Sequence, residues 1–105
     1  MSYYLAWVST TIASSGTTTA AIDLSNNADF MDVLLPSAWT SGTIRLQVSE
    51  ANVTWNDLGG TALTTNTAVA SQALVLRVGG YRYVKIICSA AQGAERALRV
   101  RGWRS

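Results

Sequence analysis

The 105-residue chain is 49% hydrophobic and 13% charged, with a net charge of +2 and no histidine. Its charged fraction is about half that of an ordinary soluble domain, so a good part of its surface is expected to be covered by partners. The missing histidine excludes Ser-His-Asp and Cys-His catalysis and histidine metal centres, and the length allows one core but not two, so residues 1–105 are expected to form one domain.

In chain order the hydrophobic period is two almost throughout. Tyr4, Ala6 and Val8 alternate with Tyr3, Leu5 and Trp7 in an opening strand that runs on to a turn at Ser14-Ser15-Gly16. Residues 20–24 form a second strand, stopped by Ser25-Asn26-Asn27, and residues 30–35 a third, closed by Pro36, which cannot donate to a ladder. Over residues 43–49, Ile44, Leu46 and Val48 point one way and Arg45, Gln47 and Ser49 the other. Residues 61–65 are a candidate short strand, while residues 37–39 and Asp57-Leu58 are candidates for a single helical turn. Residues 72–78 alternate again, and Gly79-Gly80 is read as a turn into a strand over residues 81–89. A last strand covers residues 96–103. Gly, Ser, Asn and Thr clusters at this spacing predict an all-β chain, a single antiparallel β-sandwich (jelly-roll-like or Ig-like) of about 7–8 strands with edge strands at the two termini. Strand order stays open.

Few chemical motifs are present. Cys88 is alone in an apolar strand, so no intrachain disulfide or thiolate cluster forms, and it is read as a small buried hydrophobe. None of Asp23, Asp29, Asp32, Glu50, Asp57 and Glu95 forms a recognisable catalytic pair. Asp23 and Asp32, on strands beside apolar neighbours, are read as solvent-facing or arginine-paired carboxylates. Neither Gly59-Gly60 nor Gly79-Gly80 has the flanks of a phosphate loop. The chain is therefore expected not to be an enzyme and to carry no metal or cofactor. Glu50, Asn52, Asn56 and Asp57 offer hard oxygen atoms but lack EF-hand spacing, and asparagine suits loops in its own right. Neither a signal peptide nor a run of membrane-spanning length is expected. Arg96, Arg99, Arg101 and Arg104 form a basic C-terminal run in which Arg99 and Arg101 flank Val100, as on the wet face of a strand rather than in a nucleic-acid stripe.

The aromatic residues carry more information. Trp7 and Trp39 are read as caps on a small sandwich core, whereas Trp55, in the polar loop with Asn52, Asn56 and Asp57, is the best candidate for contact with a glycan or partner. At the termini Tyr3, Tyr4, Leu5, Trp7, Arg99, Arg101 and Trp103 are the candidate assembly contacts, by strand addition at an edge.

The segments Thr11-Ile12-Ala13-Ser14-Ser15-Gly16-Thr17, Ala21-Ile22-Asp23-Leu24, Leu34-Leu35-Pro36-Ser37-Ala38-Trp39-Thr40, Leu46-Gln47-Val48-Ser49, Thr54-Trp55-Asn56-Asp57-Leu58 and Tyr81-Arg82-Tyr83-Val84-Lys85-Ile86, in this order, resemble small β-sandwich virion proteins of tailed phages and gene-transfer particles. The chain departs from that pattern at Glu50-Ala51-Asn52-Val53, where such proteins often carry an Asp-Gly-Gly turn. The resemblance implies a capsid-decoration, cement or head-fibre (spike-base) subunit on the virion surface, assembled in the bacterial host cytoplasm. Its implied partners are further copies of itself, as a homotrimer, and the major capsid or other virion proteins, with no nucleic acid or membrane. The alternative reading is a carbohydrate-binding or adhesin module for host-surface glycans.

Overall fold

The computed structural model describes residues 3–59 and 66–105. They form eight strands and, among the described residues, no helix: β1 (Tyr3–Tyr4), β2 (Val8–Ile12), β3 (Ile22–Leu34), β4 (Gly42–Ser49), β5 (Asn56–Asp57), β6 (Asn66–Ala68), β7 (Ala73–Cys88) and β8 (Arg96–Arg104). The candidate strand at residues 61–65 lies outside the described residues. Residues 37–38 form a turn instead of a helical one, and Asn56–Asp57 is a short strand.

All pairings are antiparallel, in the order β1-β8-β3-β7-β4-β5, with β2 also on β8 and β6 also on β4. The path bends back on itself through its two longest strands. The second half of β3 pairs with the first half of β7 (Phe30 opposite Arg77, Leu34 opposite Ala73), and the first half of β3 pairs with the second half of β7 (Ile22 opposite Val84). The register slips between these halves, at Asp23/Ala28 and Ala28/Phe30. Ser25 on β3 and Gly79 and Gly80 on β7 take positive φ there (77°, 80° and 94°). Bulges and bends of this kind let a strand leave one sheet and enter the other. One layer is therefore β1/β2, β8, the end of β3 and the start of β7, and the other is the start of β3, the end of β7, β4 and β5/β6.

This arrangement corrects two expectations. Ser25-Asn26-Asn27 and Gly79-Gly80 do not terminate strands; each is a corner within one long strand. The residue types that allow a positive φ serve a corner as well as a hairpin. The expected edge strand at the C-terminus is also internal, because β8 lies between β1/β2 and β3. Of the two terminal segments only the N-terminal one is an edge, and it is broken between Tyr4 and Val8.

The alternating positions close the core. Ile12, Leu24, Met31, Val33, Ile44, Leu46, Val48, Leu76, Val78, Val84, Ile86, Leu98 and Val100 all point between the layers and are at most 3% exposed. Trp39 joins them at 4%, as expected of a capping ring, and its buried indole N–H has no acceptor among the described residues. Gly102 has no room for a side chain, since a Cβ would lie 3.0 Å from that of Ala28 and 3.1 Å from Leu5 Cδ1. At one end of the sandwich the fully buried Gln92 ties loops together. Its side-chain oxygen accepts from Thr40 N (2.9 Å), its amide donates to Thr40 O (3.3 Å) and Ala90 O (3.2 Å), and its backbone exchanges hydrogen bonds with Gly16 and Ser15.

Candidate functional site

Pairing and parity bring one set of side chains onto the outer face of the first layer. On β8 the inward positions are Leu98, Val100 and Gly102, so Arg99, Arg101 and Trp103 point out. The register sets Trp103 opposite Tyr4 on one side and Phe30 on the other, and Phe30 opposite Arg77. One step along, Arg101 faces Asp32, which faces Val75; the next step sets Arg99 opposite Leu34 and Leu34 opposite Ala73.

Asp32 organises this face. Its carboxylate accepts from Arg101 (Nη2 at 2.7 Å, Nε at 3.2 Å) through one oxygen and from the Trp103 indole N–H (2.9 Å) through the other. Because the Asp32 side chain is only 17% exposed, these charge-assisted bonds work in a partly desolvated site. The fixed guanidinium of Arg101 lies over the rings of Tyr4 (4.3 Å) and Trp7 (4.5 Å), with Arg99 5.1 Å from the latter. Trp103 stacks on Phe30 with ring centroids 4.5 Å apart, and Tyr4 leans on its other neighbour side at 5.7 Å. Around this cluster, Tyr4 (58%), Val75 (63%) and Leu34 (37%) are large apolar side chains turned to solvent. A free-standing sandwich ordinarily keeps its outer face polar.

Of the sequence-derived assembly residues, the structure gathers Tyr4, Trp7, Arg99, Arg101 and Trp103 here. Tyr3 pairs with Arg104 and, with the opposite parity, stands exposed beyond the core. Leu5 points inward and packs against the core. Trp7 is half-buried outside the core cluster, under the arginines, which corrects its reading as a core cap. Phe30, Leu34, Val75 and Arg77 also stand on this face, and nothing in the sequence marked them for the site beyond the alternation that sets Val75 and Arg77 against Leu74, Leu76 and Val78.

The loop after β4 is arranged differently. The Asp57 carboxylate accepts from Arg45 (2.5 Å) and Gln47 (3.1 Å), and the Gln47 and Arg45 hydrogen bonds hold it below the usual carboxylate range. Trp55 is half-buried with the Lys85 ammonium 4.5 Å from its ring centre. Asn52, at φ 61°, and Asn56 are exposed. Among the described residues no three His, Cys, Asp or Glu side chains cluster to hold a metal ion. Elsewhere, Asp23 accepts both a Nε and a Nη2 bond from Arg82 (2.7 and 3.0 Å) and one from Ser25 N (2.9 Å). Both Asp23 and Asp32 are thus arginine-paired. A hollow of about 230 Å³ on the second layer is lined by Thr43, Arg45, Ile87, Cys88 and Ser89.

The fold is thus a small antiparallel β-sandwich whose outer face carries an aromatic and arginine cluster. No protein-family model and no curated protein sequence matches the chain. Similar solved structures include CBM32-1 from a family 31 glycoside hydrolase of Clostridium perfringens, at TM-score 0.61 and 15% identity over 91% of this chain and 75% of that one. They also include the SPBc2 prophage-derived protein YomS, at TM-score 0.57 and 13% identity over 93% of each chain. A third, PirA, has TM-score 0.51 and 12% identity over 92% of each chain. At these identities the likeness is one of fold.

Proposed function

We propose that this protein is a non-catalytic structural subunit of a tailed-phage particle, a capsid-decoration or head-fibre (spike-base) protein, attached through the outer face of its first layer. The observation that carries this reading is the run of solvent-turned Tyr4, Leu34 and Val75 around the Trp103–Phe30 stack. A contiguous apolar face is the mark of a protein contact. Further support comes from the carboxylates of Asp23, Asp32 and Asp57, each occupied by an arginine and so poorly placed for acid–base work. The prophage-derived protein of the same fold and nearly the same length fits this reading too.

The test is the composition of particles purified through a density gradient from a lysate of the cognate phage. The chain is expected in them at a stoichiometry set by particle symmetry, and its absence overturns the proposal. The fold shared with a carbohydrate-binding module keeps glycan binding as the competing reading. A glycan-array signal that disappears in Trp55→Ala would favour it.

A further inference from the structure

Resting on that reading, we infer that the outer face of the first layer receives an acidic protein surface supplied by a different polypeptide, not by a second copy of this chain. The first ground is charge. Arg77, Arg99 and Arg101 project from this face against the single acid Asp32, which is already committed to Arg101 and Trp103. Among the described residues, Arg77 and Arg99 have no acidic partner. A two-fold contact between identical faces would set these arginines against each other, which opposes association.

A second copy has no other surface that answers them. Asp23 and Asp57 are spent on Arg82 and Arg45. Glu50 follows β4 at the end beside Tyr83, while Glu95 precedes β8 at the opposite end, where Gln92 meets Thr40. Asp29 accepts a bond from Ser105 N (3.1 Å), so the three carboxylates without an arginine fall on three separate segments, β3, the turn after β4 and the turn before β8, and do not make an acidic patch.

The state of the rings separates protein from sugar and nucleic acid. Base and sugar recognition uses exposed ring faces. Here Phe30 and Trp103 cover each other, and Arg101 lies over Tyr4 and Trp7. What remains outward beside Tyr4, which carries Arg101 over its ring, is aliphatic, Leu34 and Val75, flanked by Arg77 and Arg99. That pattern fits apolar side chains ringed by carboxylates. Strand addition at the N-terminal edge fits less well, because that edge is broken between β1 and β2. Four strands at about 4.8 Å spacing and five residues at about 3.3 Å rise give a patch on the order of 200 Å² at the backbone, well under the ~800 Å² per partner of a standard interface. One copy therefore binds weakly, and firm attachment comes from many copies on a lattice.

The experiment titrates the full chain with a labelled peptide of alternating glutamate and leucine, with its lysine–leucine counterpart, with heparin and with oligothymidine. The glutamate–leucine peptide is expected to bind, the lysine–leucine one not, and Arg77→Glu with Arg99→Glu is expected to weaken binding about tenfold at unchanged melting temperature. Val75→Ser, which keeps the charges, should weaken it as well. Equal binding of the lysine peptide, tighter binding of heparin or oligothymidine through the same arginines, no binding of any probe, or self-association abolished by Val75→Ser would each overturn the inference. Particle analysis separates it from the parent proposal. A charge-reversed chain that still incorporates fully into particles defeats the acidic partner alone; a chain absent from particles that still binds the acidic peptide defeats the virion role alone.

Discussion

Asp32 on β3 holds Trp103 on β8 through a 2.9 Å bond from the indole N–H, and the same carboxylate holds Arg101 two residues earlier. A single acid thus sets both the ring that stacks on Phe30 and the guanidinium that lies over Tyr4 and Trp7. Asp32→Asn keeps the shape but loses the charge. It is expected to destabilise the fold by about 1–2 kcal/mol, allowing for partial exposure. The melting temperature should fall by roughly 5–10 °C, with a changed near-UV circular dichroism signal as Trp103 is released. An unchanged aromatic spectrum would show that Phe30 stacking alone sets the ring.

The corner of β7 gives a test of backbone conformation free of packing. Gly80 has φ 94° and a Cβ there would meet nothing within 4 Å, so Gly80→Ala is penalised by its dihedral alone. A loss of about 1–2 kcal/mol in urea unfolding is expected. Gly93→Ala, at an ordinary φ with only Arg96 near at 3.9 Å, is the control and should change little.

Across the same corner, the Arg82 hydrogen bond, and after it that of Ser25 N, holds the Asp23 carboxyl below its ordinary value. The folded state thus binds that proton less readily than the unfolded chain, whose aspartates titrate near pH ~3.9. The stabilisation is present in full above that value and lost as pH falls through the lower folded one. Asp23→Asn should therefore lower the melting temperature at neutral pH by a few degrees at most, the pair being exposed, and the difference should close in strong acid. A gap that widens on acidification would contradict this assignment.

Gln92 is the strongest candidate for a purely structural polar residue. Replacing it with alanine leaves Thr40 N and O without these partners and Ala90 O with the Cys88 thiol alone, and empties the fully buried space of the Gln92 side chain. A loss of about 2–4 kcal/mol is expected, from unsatisfied groups and the cavity together. Hydrogen exchange should speed up in residues 13–17 and 37–42 before the strands are affected.

The inward and outward positions of several strands were legible because period-two alternation is written locally. Ile44, Leu46 and Val48 on β4 and Leu98 and Val100 on β8 point inward as their spacing implies. The corners were not, because Ser25 and Gly79-Gly80 satisfy the same backbone requirement whether a chain reverses or changes sheet; the distant partner strand decides which. The site was half legible for a related reason. Tyr4, Trp7, Arg99, Arg101 and Trp103 stand out near the termini by residue type. That Phe30, Asp32, Leu34, Val75 and Arg77 join them depends on β8 lying beside β3 and β3 beside β7, a register no local pattern records.

Because β3 and β7 run through both layers, neither layer can form before these two strands meet. Their nearest register pair, Leu34 and Ala73, closes a loop with β4, β5 and β6 inside it. Closing such a loop spends chain entropy before many contacts return it, which makes folding of non-local β topologies slow, on the order of milliseconds to seconds. The end of β3 and the start of β7 are also two of the four strands that make up the aromatic and arginine face. A newly made chain therefore has no aromatic and arginine face until that one long-range closure has taken place, and the recognition proposed for that face would wait on folding.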